Sequence, residues 1–235
     1  MVRTKALKRK AFFTMNGKLL VSILFLLTVT LSCAPKDDAV YSYWDNGNVR
    51  SELRYSDGKL DGVCRWYYSS GVKSMESVYA MNVLNGETTR WHENGQLMEK
   101  SYYKDNQYDG VVEEYNVAGV LVKKSNYVAG VLNGMIYQWY DDGKPFLEGE
   151  YLDGMMHGSW IMYYQDGSIG CIADYDRGTG EQRGFSQGGL YQNALVHYKD
   201  NLKDGREIRY AMDGSVEEIL IWDKGEFVGN VLIDK

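Results

Sequence analysis

Glycine recurs along this chain at a fixed interval, and that interval decides most of what the chain can fold into. Gly47, Gly71, Gly95, Gly119, Gly143 and Gly167 stand 24 residues apart without a slip, and Gly189 and Gly214 continue the series at 22 and 25. With these glycines as anchors, a ring lies four positions before each: Tyr43, Tyr67, Trp91, Tyr115, Trp139, Tyr163, Phe185 and Tyr210. Eight positions after come Tyr55, Tyr79, Tyr103, Tyr127, Tyr151, Tyr175 and Trp222, with Tyr198 nine after the seventh anchor. Nine before stands a second glycine: Gly62, Gly86, Gly110, Gly134, Gly158, Gly180 and Gly205. Columns of this kind are the mark of a chain built by stacking one small unit.

Each unit reads as a hairpin. The residues entering the anchor, such as Ser69-Ser70-Gly71, Asp141-Asp142-Gly143 and Gln165-Asp166-Gly167, suit a three-residue loop that ends on a glycine at positive φ. With regular alternation along both strands, that loop puts the ring four before and the ring eight after on one face. Clusters such as Asp57-Gly58-Lys59-Leu60-Asp61-Gly62 and Asp153-Gly154-Met155-Met156-His157-Gly158 then turn the chain into the next unit. A lone hairpin cannot bury its apolar face, but stacked hairpins join their rings into a spine, each cross-strand pair contributing roughly 0.2 to 1 kcal/mol. The predicted fold is all-β: an elongated antiparallel meander of about eight 24-residue hairpins, a single layer or half-pipe, over residues 41–235. Residues 176–199 form an irregular seventh unit, where Asp176-Arg177-Gly178-Thr179-Gly180 is two residues short and Gly188-Gly189 follows; a kink, a bulge or a local site is expected there.

Composition agrees. The 235 residues include 20 Tyr, 6 Trp, 6 Phe and 26 Gly but only 2 Pro, as strands and tight turns require and a helical bundle does not. The formal charge is −6. All six charges before residue 33 are cationic, so the remainder sets 20 Lys and Arg against 32 Asp and Glu, a balance of −12. Such a body repels phosphate backbones, which argues against nucleic acid as a partner.

The N-terminus reads as an address. Leu19 to Leu31 carry no charge over thirteen residues, too few for a helix to cross a bilayer, which takes about 20, and enough for the core of a signal peptide. Residues 1–32 are therefore expected to be an export signal, and Met15-Asn16-Gly17-Lys18 makes a complete short leader that points to Met15 as the start. Thr30-Leu31-Ser32-Cys33 resembles a bacterial lipoprotein box, with Thr30 in place of the usual aliphatic residue. The resemblance implies acylation, for example by palmitate, of Cys33 and a tether over 33–40; an ordinary secretory leader that happens to contain a cysteine is the competing reading. Ala34 lacks the Asp that retains many lipoproteins at the inner membrane, and Lys36-Asp37-Asp38 resembles a surface-export tag. The expected location is the bacterial envelope, at the outer membrane and exposed on the surface.

No catalytic set stands out. His92 falls in a column otherwise filled by Asn116, Tyr140 and Tyr164; His157 shares a turn column with Asp61, Asn85 and Asp109; His197 lies in the irregular unit beside Tyr198. Turn chemistry accounts for the Asp-Gly pairs without calcium. The glycines near Gly178 and Gly188 lack a Walker lysine and a strand-to-helix step. Cys64 and Cys171 show no metal-ligand spacing and are expected to be unpaired thiols packed as small hydrophobes. The reading is a non-enzyme with no cofactor and no metal.

The run Gly134-Met135-Ile136-Tyr137-Gln138-Trp139-Tyr140-Asp141-Asp142-Gly143, continued by Lys144-Pro145-Phe146-Leu147-Glu148-Gly149-Glu150-Tyr151, resembles the MORN-repeat variant. The resemblance covers about residues 41–229 and implies an elongated antiparallel meander. Bacterial chains of this kind are often grouped as antitoxin-like proteins, many with lipoprotein signals. Two functions are weighed: a scaffold presenting a long surface to an unidentified protein partner, for which the resemblance implies an antitoxin or immunity role, and a carbohydrate or peptidoglycan binder. The second predicts that rings outside the two columns, Trp44, Trp66, Tyr68, Tyr140 and Trp160, gather on an exposed face. Membrane attachment through the acyl chains is expected in either case.

Overall fold

The computed structural model describes residues 39–231; the expected export signal, Met15 and Cys33 lie outside them. The described residues form twenty strands and one 3-10 turn, Gln187–Gly189. Eighteen strands join one antiparallel sheet, and the short pair Tyr55–Ser56 and Lys59–Leu60 forms a second at the end of the first hairpin. Strands pair with their neighbours in the chain from Val40–Tyr43 at one edge to Glu226–Val231 at the other, so the sheet is an open meander.

The anchors close the loops as expected. In the fifth unit Tyr140 N donates to Lys144 O (2.8 Å) and Gly143 N to Tyr140 O (2.8 Å), with Gly143 at φ +84°. The face assignment of the rings, however, is reversed. Trp139 pairs with Pro145 but Gln138 with Leu147, so Phe146 is an extra residue, a bulge in the second strand. One extra residue exchanges the two faces beyond it. Tyr151 therefore lies opposite Gly134, five residues from Trp139 and on the other face. The same shift recurs in the other hairpins.

The second glycine column also has a different task. The return turn is a two-residue type I′ turn made by Asp57-Gly58, Met81-Asn82, Asp105-Asn106, Ala129-Gly130, Asp153-Gly154, Arg177-Gly178, Asp200-Asn201 and Lys224-Gly225, all at positive φ. Gly86, Gly110 and Gly134 stand inside strands, opposite Tyr103, Tyr127 and Tyr151, at φ +131°, +121° and +106°. There they take up two residues that bulge from the ladder: Ser125 pairs with Ile136 but Tyr127 with Leu132. The seventh unit lacks this bulge. Cys171 to Asp176 pair with Gly184 to Thr179 without a shift, and Gly180 faces Tyr175 on one side and Tyr198 on the other. Its loop lengthens in return, Ser186 N reaching Tyr191 O at 3.0 Å.

The core is one row of side chains crossing the sheet. Cys64 faces Ser77, Ser77 faces Thr88 and Thr88 faces Ser101; the row continues through Val112, Ser125, Ile136, Gly149, Trp160 and Ala173. Cys64, Ser77, Thr88, Ser101 and Ser125 are the most completely buried side chains. Residues this small cannot shield themselves, so the rows on either side close over them, the Tyr column among them. We call this the inner face. Its rings meet edge-on through Tyr151, Trp160, Tyr175 and Tyr198 at centroid separations of 5.1, 6.3 and 5.6 Å. Burial raises the pKa of Tyr151, Tyr175 and Tyr198. Cys64 and Cys171 are free.

Candidate functional site

With the inner face packed, the outer face is the broad accessible surface, and one row on it changes character along the array. Glu52, Arg65, Glu76, Thr89, Lys100, Glu113 and Lys124 lie across from one another in sequence. Their ends are joined: Arg65 to Glu52 (3.1 Å) and Glu76 (2.7 Å), Lys73 to Glu76 (2.8 Å), Lys100 to Glu87 (3.2 Å) and Lys124 to Glu113 (2.9 Å). The hydrogen bond from Lys73, joined by that from Arg65, holds Glu76 below the usual carboxylate range against its partial burial; Lys124 does the same for Glu113. After Tyr137 and Glu148 the row becomes Ile161, Ile172, Arg183, Leu195, Ile208 and Ile219.

Short isoleucines in place of long paired side chains leave an open depression of about 640 Å³ at the sixth and seventh units, lined by Ser159, Ile161, Ile172, Asp174, Glu181 and Arg183 among others. A second depression of about 440 Å³ meets it at Ile172 and extends past Ile169 and Phe185 to Gly188 and Gly189. The lengthened loop forms the far wall and is pinned to its neighbour: Gln187 Nε2 donates to Asp166 Oδ2 (3.1 Å) and Gly188 N to Ser168 Oγ (2.9 Å). The irregular unit thus coincides with a groove. Arg183 and Asp174 are exposed. Unlike the cations of the charged half, Arg183 pairs with no carboxylate among the described residues, whereas Glu181 lies 3.3 Å from His197 Nε2.

The five rings named from sequence do not gather on an exposed face. Trp160 is buried in the inner core and donates to Glu150 O (3.2 Å) and His157 O (3.1 Å), and Trp66 meets Tyr79 edge-on at 6.2 Å. The other three belong to a set of ties between repeats. Trp44 Nε1 donates to Tyr67 O (3.0 Å), Tyr68 Oη to Trp91 O (2.8 Å) and Tyr140 Oη to Tyr163 O (2.8 Å). His92 Nε2 contacts Tyr115 O at 2.9 Å, so this histidine is a tie as well. The return turns are stitched similarly, Gly130 N to Tyr108 O and Gly154 N to Leu132 O. His157 sits inside the strand Met155–Tyr163 and not in a turn. Among the described residues no three His, Cys, Asp or Glu are grouped to hold a metal ion.

The groove residues escaped sequence reasoning because the columns that repeat most regularly are the structural ones. The signal lay in a neighbouring column, five after the anchor, which reads Glu52, Glu76, Lys100, Lys124, Glu148 and then Ile172.

Fold and surface together define an open β-hairpin repeat array that carries a charged half and an apolar half on one face. Two segments of the array match a known repeat: the family model described as MORN repeat variant matches residues 39–57 and 84–105. No curated protein matches the chain.

Proposed function

We propose that the chain is a non-enzymatic scaffold that binds a partner protein at the bacterial envelope. The observation that carries this reading is the outer-face row, whose side chains pass from mutually paired charges to an aliphatic stripe at Ile161 and Ile172. A row that saturates its own charges over half its length and leaves half-buried isoleucines beside an open depression over the other half suits contact with another protein. The two segments that match the MORN repeat variant support an antitoxin or immunity role, and the lipoprotein-like Thr30-Leu31-Ser32-Cys33 supports attachment through acylated Cys33, at the outer membrane and facing outward. Crosslinking in the native envelope followed by co-purification tests the scaffold: a protein recovered reproducibly supports it, and none recovered under any crosslinking condition overturns it. Labelling with palmitate, which Cys33→Ala should abolish, tests the anchor.

A further inference from the structure

We infer that the groove of the seventh unit binds an extended segment of the partner whose alternate residues are aliphatic, acidic and basic, in that order. The inference rests on the scaffold reading and names its contact site.

The strand Thr179–Phe185 lines the groove and pairs with Cys171 to Asp176 without a register shift, so Phe185, Arg183 and Glu181 project from the same face at every second residue. They present a ring, a cation and a carboxylate over about 13 Å, at ~3.3 Å per residue. Across the ladder, Ile172 faces Arg183 and Asp174 faces Glu181. The groove therefore has an apolar end at Phe185 and Ile169, a cation at its middle beside Ile172, and two carboxylates at its far end.

An extended peptide laid along that strand repeats the same two-residue spacing. Its first inward residue meets Phe185 and Ile169 and has to be aliphatic. Its third meets Arg183, whose guanidinium has no carboxylate partner among the described residues, and has to be acidic. Its fifth meets Asp174 and Glu181 and has to be basic. The loop Gln187–Gly189 bounds the apolar end. Elsewhere on the row, Arg65 and Lys124 are already bonded to Glu76 and Glu113, so the acidic residue of the peptide finds no comparable unpaired cation there. Charge order selects this occupant over a uniformly anionic surface, which Asp174 and Glu181 repel.

The test uses two fluorescein-labelled peptides of one composition, Val-Ser-Glu-Ser-Lys-amide and Val-Ser-Lys-Ser-Glu-amide, titrated onto the full chain by anisotropy. Exchanging the charges turns two attractive contacts into two repulsive ones, so the first peptide should bind about tenfold more tightly. Arg183→Gln, an exposed substitution, should reduce that preference to less than about threefold, whereas Lys124→Gln should leave it intact. Equal binding of the two peptides, a reversed preference, a preference that survives Arg183→Gln, or no binding of either overturns the groove. Photocrosslinking groups at Ile172 and at Thr89 separate this from the scaffold reading. A partner segment of the stated pattern captured from Ile172 supports the groove. Capture from Thr89 alone overturns the groove and leaves the scaffold standing; capture from neither overturns both.

Discussion

Gly149→Ala adds one methyl group to the core row and should destabilise the protein, although glycine within a strand ordinarily favours the opposite outcome. Replacing a strand glycine by alanine gains roughly 0.5 to 1 kcal/mol by restricting the unfolded chain. Here a Cβ would fall well inside 3.0 Å of Trp160 Cδ2, Cε2 and Cε3. The indole cannot easily retreat. Tyr151 and Tyr175 stand edge-on to it at 5.1 and 6.3 Å, and its Nε1 is held by the carbonyls of Glu150 and His157. Overpacking of this kind costs about 1 to 3 kcal/mol, so the net expectation is a loss of about 1 to 2 kcal/mol. Urea unfolding followed by far-ultraviolet circular dichroism measures it, with the slope compared between variants because a repeat array can lose cooperativity. The companion is the same substitution in a Trp160→Leu background, where the obstacle is gone and Gly149→Ala should be neutral or stabilising. The two backgrounds should then differ by about 2 kcal/mol, a coupling typical of contacting residues. Gly149→Ala at or above wild-type stability, or an equal loss in both backgrounds, would refute the seating of Trp160 over Gly149.

Tyr140→Phe removes the tie to Tyr163 O (2.8 Å) and should cost about 0.5 to 1.5 kcal/mol; an unchanged urea midpoint would show that the tie carries no load. Ala129 occupies the first position of a return turn at φ +48°, a conformation that costs most L-residues about 1 to 2 kcal/mol. Ala129→Asn should recover about 0.5 to 1 kcal/mol of this, since Asn tolerates the left-handed region, and should raise the melting temperature. Glu76, depressed by its bonds to Lys73 and Arg65, contributes stability that is complete above its unfolded value of about 4.3 and is lost as pH falls through the lower folded value. The fall in urea midpoint between pH 6 and 3 should therefore shrink in Glu76→Gln; an identical fall would refute the assignment.

The unit length, the anchor loops and the open meander were legible because each rests on local chemistry, a glycine at positive φ or a ring in a strand. The face of each ring was not. It depends on the bulge residue, Phe146 in the fifth unit, which carries no compositional signature: the same position holds Arg50, Ser74, Met98, Val122 and Gly170 in other units. The second glycine column looked like a turn for a related reason. Outside the seventh unit it follows Asp, Asn or His, as turn glycines do, yet it serves a bulge and faces a tyrosine or, at Gly205, Trp222. The buried row was hidden by its smallness, since Ser77, Ser101 and Ser125 are polar and read as surface until the flanking rows are seen to close over them. Trp160 was misjudged by the same logic in reverse, a large ring that fits inside only because residue 149 is glycine.

The two outermost described strands, Val40–Tyr43 and Glu226–Val231, are separated by an even number of antiparallel steps and so run in the same direction. Exposed apolar side chains, Val40, Tyr41 and Tyr43 at one end and Phe227, Val228 and Val231 at the other, make both edges adhesive. Edges of this kind invite filament growth. Strand parity works against it: a copy added head to tail would set Glu226–Val231 beside the next Val40–Tyr43 in parallel, out of step with every other rung. An antiparallel rung forms instead when the same edge of a second molecule approaches across a twofold axis; that contact by itself stops at two, and growth beyond a pair requires the opposite edge to repeat it about a second axis.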